Sequence, residues 1–177
     1  MEAVSVAYAN AMFDLALEDN KQDIVLEQMS SINEIISSNK DLVKILESKN
    51  LSKINKKEMI ENIFSNILDK DVLNFLKLLV DKSRVRYIVD ITKAYKNAYL
   101  KHYKIHEAII YSTKELNQTQ LEEIKDALEN KYNQKYVAIN RIDETLLAGI
   151  KVVINDLVID GSIANKLDRM KTTILKK

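Results

Sequence analysis

The chain has 177 residues, of which 46% are hydrophobic and 30% are charged, and its net charge is +1. This composition supports a packed core and excludes a disordered chain, and the balanced charge excludes a strongly basic surface for nucleic acid or an anionic membrane. The absence of cysteine excludes disulfides, thiolate catalysis and cysteine-ligated metal. No apolar run approaches the roughly 20 residues that a membrane span needs, and we expect no secretory signal because no basic region precedes an apolar core.

The first 104 residues have apolar side chains at helical spacing, separated by short polar joints. Helices are predicted over residues 4–18 and 22–38, then a short one capped by Asn39, one capped by Ser52, one that starts near residues 69–71, and the longest over residues 84–104. The fifth of these is apolar nearly all round, so we expect it to be central. Because no strand pattern interrupts them, the six helices are predicted to form a bundle.

The second part of the chain has a different pattern, with runs that favour strands. A strand is predicted over residues 106–111, a helix begins at Asn117 with a capping box to Gln120, and a second strand covers residues 136–142. Two short strands and a final helix from Ser162 follow. The predicted fold class is therefore α+β, mostly α, with a helical domain at residues 1–104 and a small α+β domain with a β-hairpin at residues 105–177.

Only two glycines are present, Gly149 and Gly161, and proline is absent. The dinucleotide-binding motif needs three glycines, and the P-loop motif needs two that are five positions apart, whereas Gly149 and Gly161 are 12 positions apart. Nucleotide binding by those routes is therefore excluded. Both glycines lie between Val137 and Ile163, where two apolar runs flank Asn155-Asp156. Asn and Asp tolerate the left-handed region, so this pair predicts a two-residue hairpin turn.

Few residues are candidates for catalysis or metal binding. His102 and His106 lie four residues apart, as two ligands on one helix face would, but no third ligand follows at a specific spacing, and two surface histidines are the simpler interpretation. Asp143-Glu144 and the pair Asp156 and Asp160 come closest to a carboxylate cluster. Turn formation and helix capping explain them without catalysis, and no nucleophile stands beside a base.

A row of tyrosines raises the question of nucleic acid binding. The tyrosines recur every four residues and are interleaved with lysines: Tyr95, Tyr99 and Tyr103, among Lys93, Lys96, Lys101 and Lys104. Such a row could stack on bases and follow a nucleic acid strand. Because the net charge is nearly neutral, packed tyrosines beside solvated lysines are the simpler interpretation, and we expect no nucleic acid partner.

The C-terminal stretch resembles the signature of one protein family. The matching residues are Ile142-Asp143, Leu146 to Gly149, Asp156 to Ser162, Leu167 and Arg169. They resemble the delta subunit of F-type ATP synthases, the oligomycin sensitivity-conferring protein family. Weaker matches lie at Tyr8-Ala9, Ala11 and Leu78 to Arg84.

The structural signature in this stretch comprises six residues: Asp143, Gly149, Asn155, Asp156, Asp160 and Gly161. Two residues depart from the family pattern, because Asn155 and, in the first half of the chain, Ser83 stand where the family commonly has glycine. Residues 163–166 also depart from a run that usually carries arginine and glycine.

The resemblance implies a non-catalytic stator subunit without a cofactor, which ties the catalytic head to the peripheral stalk on the cytoplasmic face of the bacterial inner membrane. In the family, the first and fifth helices form a groove for the N-terminal helix of an alpha subunit. The candidate groove residues here are Tyr8, Ala11, Met12 and Leu15, facing Leu76, Leu79 and Val80. The C-terminal domain is expected to meet the ends of the b subunits, and membrane association to arise only through the complex.

Two other classes of function remain open on the residues alone. A helical bundle with an alanine-rich first helix could equally be a free-standing protein–protein adaptor unrelated to ATP synthase, because a binding groove and a core stripe look alike in sequence. An enzyme is the third possibility, and no set of residues in the sequence has the arrangement of a catalytic site.

Overall fold

The fold comes from a computed structural model, which describes residues 2–48, 50–146 and 148–161. The chain divides into two compact units, Met1–Tyr99 and Leu100–Lys177. The described residues contain seven α-helices and four strands, so the fold is mostly helical with a small sheet, as predicted. None of the described helices is long and apolar enough to cross a membrane.

Six of the seven helices precede the first strand. They are α1 (Glu2–Glu18), α2 (Gln22–Ser38), α3 (Lys40–Glu47), α4 (Lys53–Phe64), α5 (Lys70–Asp81) and α6 (Ile88–His102), with a 3₁₀ turn at Val85–Tyr87 before α6. The core of the first unit is built from the apolar stripes of these helices. Its largest fully buried side chains include Tyr95, Phe64 and Met29, and Phe13 packs edge-on against Tyr95 with ring centroids 5.5 Å apart.

The prediction that residues 84–104 form the longest helix is wrong. Helix α6 has 15 residues, whereas α1 and α2 have 17 each. The cause is Ser83, whose backbone is left-handed with a φ of 55°. The N–H groups of Ser83 and Arg84 bond back to the carbonyls of Val80 and Leu79. This pattern ends α5 as a glycine would, and the chain then needs the 3₁₀ turn before α6 can begin.

The two predicted caps of the middle helices differ in outcome. Ser52 caps α4 as predicted, because its Oγ accepts a hydrogen bond from the N–H of Asn55 at 3.2 Å. Asn39 precedes α3 but makes no side-chain cap bond. Its Nδ2 instead donates to the carbonyl of Ile35 at 2.9 Å, so the side chain closes the end of α2. The predicted Asn39 cap is therefore wrong, since the amide serves the preceding helix.

The second unit is a four-stranded mixed sheet with one helix. It comprises β1 (Ile105–Ser112), α7 (Gln118–Tyr132), β2 (Lys135–Ile142), β3 (Ile150–Ile154) and β4 (Leu157–Asp160), in the spatial order β2-β1-β3-β4. Strands β1 and β2 are parallel with α7 as their crossover, and β3 and β4 form an antiparallel hairpin. This confirms the predicted β-α-β unit and hairpin. The predicted helix from Ser162 lies outside the described residues.

The sheet has two chemically different faces because side chains alternate along each strand. Ala108, Ile110, Val152 and Ile154 point to the face that packs with Leu128 of α7 and form the core of the unit. The register places the alternate residues side by side on the other face. We call it the second sheet face and define it by its apolar residues, which are half-buried or exposed: Ile105, Ile109, Tyr111, Val137, Ile139, Val153 and Val158.

Candidate partner-binding groove

Helices α1 and α5 lie side by side in opposite directions. At one end, Arg84 follows α5 and its Nη1 donates a hydrogen bond of 2.8 Å to the hydroxyl of Tyr8. At the other end, Lys21 follows α1, and its Nζ lies 3.7 Å from carboxylate oxygens of Asp69 and Asp71. Contacts at both ends therefore fix the antiparallel arrangement of the two helices.

A groove of about 420 Å³ runs between these two helices. It is lined by Tyr8, Ala11, Met12 and Leu15 of α1 and by Asp71, Asn74, Phe75 and Leu78 of α5. On each helix the lining residues fall at spacings of three and four, so they form one continuous stripe. Met12 and Phe75 are buried and form the floor, whereas Leu15 is 43% exposed and Leu78 is 42% exposed. The groove thus presents apolar walls to the surroundings.

All four α1 residues predicted for the groove line it, whereas the three α5 residues predicted to face them do not. Leu76, Leu79 and Val80 are at most 3% exposed and belong to the core of the bundle. The groove stripe of α5 instead consists of Asp71, Asn74, Phe75 and Leu78, which the sequence analysis did not assign. The spacing i, i+3, i+4, i+7 could have revealed this second stripe, but α5 is apolar on adjacent faces and periodicity alone does not separate them.

Tyr8 is held in place at one end of the groove by two neighbours. Its ring packs edge-on against Phe75, with centroids 6.1 Å apart and an interplanar angle of 67°. The guanidinium of Arg84 lies 5.3 Å from the ring centroid and also bonds the hydroxyl. Arg84 marks this end with positive charge, and Asp71 marks the other with negative charge. The groove thus has apolar walls, with a cation near one end and a carboxylate at the other.

The signature residues of the second unit have structural roles at turns. The Oδ1 of Asp143 accepts hydrogen bonds from the Oγ1 of Thr145 at 2.6 Å and from its N–H at 3.0 Å. The Thr145 side-chain bond, followed by the backbone bond, holds the pKa of the Asp143 carboxyl below its ordinary value. Bonds to the ionised form stabilise it. Asp143 thus stabilises the segment after β2 as a carboxylate and is no candidate for a general acid.

The hairpin and its flanks use the remaining signature residues. Asn155 has a φ of 50° and occupies the two-residue turn with Asp156, as predicted. Gly149 has a φ of 94°, which a side chain would strain. The N–H of Gly161 donates to the carbonyl of Ile150 at 3.0 Å, and a Cβ there would lie 3.2 Å from that oxygen. Asp160 pairs with Lys151 in the hairpin register.

The other residues considered for chemistry have ordinary structural surroundings. Among the described residues, no three His, Cys, Asp or Glu side chains are grouped as metal ligands. Tyr95 is fully buried and donates from its hydroxyl to the carbonyl of Gln22, and Tyr99 donates to Asp23 at 2.6 Å. Since these two rings pack within the first unit, the tyrosine row does not form a stacking surface.

Comparison with known proteins identifies the family. The family model described as the ATP synthase delta (OSCP) subunit matches residues 4–174. The chain belongs to the ATP synthase delta (OSCP) family. Among its relatives, the ATP synthase subunit delta of Clostridioides difficile (strain 630) is 34% identical over 172 residues, which cover 97% of this chain and 95% of that protein. The subunit delta of Mycoplasma mobile is 34% identical over 170 residues, or 96% of this chain and 94% of the relative.

A solved structure shows the same fold. A chain in the cryo-EM structure of the Toxoplasma gondii mitochondrial ATP synthase hexamer superposes with a TM-score of 0.69 and 22% sequence identity, covering 97% of both chains. Members of the delta (OSCP) family are non-catalytic subunits of the stator, or peripheral stalk, of F-type ATP synthases. A non-catalytic role agrees with the groove between α1 and α5, whose walls are apolar. Ser83 and Asn155, which stand where the family commonly has glycine, both have a positive φ, of 55° and 50°.

Proposed function

We propose that this chain ties the catalytic head of an F-type ATP synthase to the peripheral stalk, so that rotor torque changes the conformation of the head instead of turning it. The single observation that supports this most is the groove between α1 and α5. The protein would act on the cytoplasmic face of the bacterial inner membrane, and it would associate with the membrane only through the complex. As a connector it needs two surfaces, one for the head and one for the stalk.

The proposed occupant of the groove is the N-terminal helix of an alpha subunit. From Tyr8 to Leu15 the groove spans two turns, or about 10 Å of helix, and its apolar lining suits a partner helix with anchors three and four residues apart. The half-exposed Leu15 and Leu78 would flank such anchors, with Met12 and Phe75 below them. Charged side chains of the bound helix would pair with Arg84 near one end of the groove and with Asp71 at the other.

The second surface is proposed to lie in the second unit. Its second sheet face carries seven apolar or aromatic side chains that do not belong to the core formed with α7, and the ends of the b subunits would bind there. Two moderate interfaces on one chain give long-lived attachment, because binding at one site raises the effective concentration at the other. This supports a stator role without requiring either interface to be exceptionally tight.

Reconstitution tests this function directly. Membranes are stripped of catalytic heads and of their own delta subunit, and heads are added back with or without this protein while ATP-driven proton pumping is followed. We expect the wild-type chain to restore head binding and pumping. Leu78→Glu should restore neither, since a carboxylate would stand in the apolar wall.

The matched control is Ile54→Glu, which makes the same change at a side chain that is 69% exposed on α4 and outside the groove. It should behave as the wild type. If cognate heads rebind and pump equally well without the protein, the stator proposal fails and a free-standing adaptor becomes the better hypothesis. If Leu78→Glu restores pumping fully, the groove is not the surface that binds the head.

A further inference from the structure

A second cavity in the first unit has a different chemistry from the groove. It has a volume of about 490 Å³ and lies where α3 ends, α4 begins and α5 turns toward α6. We call it the basic pocket and define it by its lining residues, which are Leu46, Glu47, Ser48, Leu51, Lys53, Lys56, Val80, Ser83, Val85 and Arg86. It shares no lining residue with the groove. Helix α5 contributes Val80 to the basic pocket and Leu78 to the groove.

The pocket combines an apolar floor with a cationic rim. Leu46, Val80 and Val85 are at most 4% exposed and form the floor. Around them the lining contains three cations, Lys53, Lys56 and Arg86, against a single carboxylate, Glu47. The excess of positive charge is local, because the chain as a whole has a net charge of only +1. A ligand that fits must therefore have both an apolar part and negative charge.

The rim cations are not neutralised by acidic side chains. Lys53 donates from Nζ to the main-chain carbonyl of Asp81 at 2.6 Å, and Arg86 lies over the ring of Tyr87 at 4.8 Å. Within the described part of the chain, the side chain of Lys56 makes no hydrogen bond or ion pair, and its backbone N–H bonds to the carbonyl of Ser52. Neighbouring lysines differ, since Lys57 pairs with Asp81 and Lys77 pairs with Glu61. The three rim cations thus remain available to an external anion.

Two backbone N–H groups beside the pocket are already bonded within the protein. Phosphate sites in proteins commonly use free backbone N–H groups, often from glycine-rich loops. Here the N–H of Ser48 bonds to the carbonyls of Lys44 and Ile45, and the N–H of Ser83 bonds to the carbonyl of Val80. Both glycines of the chain lie elsewhere, at Gly149 and Gly161. Side-chain cations beside an apolar floor suit carboxylates that flank an apolar residue.

We propose that the basic pocket is a second docking site of the first unit, and that it binds an acidic segment of a partner protein. An apolar side chain of that segment would rest on Leu46, Val80 and Val85, and its carboxylates would pair with the cationic rim. The volume of about 490 Å³ lies within the range of sites that hold a few residues or a small molecule. The pocket would add contacts to the complex without competing for the groove.

An NMR titration of the full-length protein tests this proposal. The probe is a synthetic hexapeptide with two leucines flanked by glutamates, added at low salt. We expect saturable amide shifts centred on Lys53, Lys56 and Arg86, and a dissociation constant that rises severalfold when the salt is raised to screen the charges. Lys56→Glu and Arg86→Glu should each weaken binding on the order of ten-fold.

Matched controls separate the pocket from general charge effects. Lys93→Glu makes the same charge reversal at an exposed position of α6 and should leave probe binding unchanged, as should Leu78→Glu in the groove. A hexapeptide with glutamine in place of glutamate should not bind. The proposal is overturned if the wild type shows no saturable shifts at the pocket, if the glutamine peptide binds equally well, or if Lys56→Glu and Arg86→Glu bind as the Lys93 variant does.

Discussion

Ser83 shows how a single residue determines where two helices meet. Its left-handed backbone, with a φ of 55°, ends α5 and delays the start of α6 to Ile88. A residue with a Cβ pays a steric penalty in this region, whereas glycine does not. The site belongs to a turn that also positions Arg84, whose guanidinium binds Tyr8 at the groove. The backbone conformation at one position therefore supports the geometry of the groove.

Replacing Ser83 by glycine is expected to stabilise the first unit. Relief of the left-handed strain exceeds the additional conformational entropy that glycine loses on folding, so Ser83→Gly should raise the free energy of unfolding by about 0.5–1 kcal/mol. The control is Ser65→Gly after α4, where φ is −59° and no strain exists, and it should lower stability by a similar amount. Urea denaturation of the variants measures both. A destabilised Ser83→Gly would contradict this account of the turn.

At the scale of elements, local signals predicted those features whose partners lie nearby in the chain. The capping box of α7 and the turn at Asn155 depend on residues three or fewer positions apart, and both were predicted. The spatial order of the strands in the sheet was not predicted. Strand β3 pairs with β1, which lies about 40 residues earlier in the chain, and its register joins Ile110 to Val152. No local pattern specifies such a pairing, because apolar strands accept several neighbours.

The capping box of α7 gives a direct test at this scale. The Oδ1 of Asn117 accepts from the N–H of Gln120 at 2.8 Å, and the Oε1 of Gln120 accepts from the N–H of Asn117 at 3.0 Å. Asn117→Ala should therefore cost about 1 kcal/mol of stability in the second unit. Asn130→Ala, at an exposed position of the same helix, should be neutral or slightly stabilising because alanine favours helix. Equal effects of the two changes in thermal denaturation would argue against the cap.

For the whole molecule, one helix contributes both to the core and to the groove that we propose as a binding surface. Helix α5 places Leu76, Leu79 and Val80 in the core and presents Asn74 and Leu78 to the groove. The four α1 residues named through the resemblance, Tyr8, Ala11, Met12 and Leu15, line the groove because they form a single stripe on a helix with alanines beside it. On α5 apolar residues occupy adjacent stripes, and only the packed structure shows which stripe faces inward.

This division of α5 predicts that stability and binding can be separated by mutation. Leu79 is fully buried, so Leu79→Ala should lower the free energy of unfolding by about 2–5 kcal/mol. Ala11 is exposed in the groove wall, so Ala11→Trp should leave stability within about 0.5 kcal/mol yet weaken binding of an alpha-subunit N-terminal peptide more than ten-fold by filling the groove. Ala127→Trp, at an exposed site on α7, controls for the added bulk. Calorimetric titration and urea unfolding measure the two quantities, and undiminished peptide binding by a folded Ala11→Trp variant would place the helix site elsewhere.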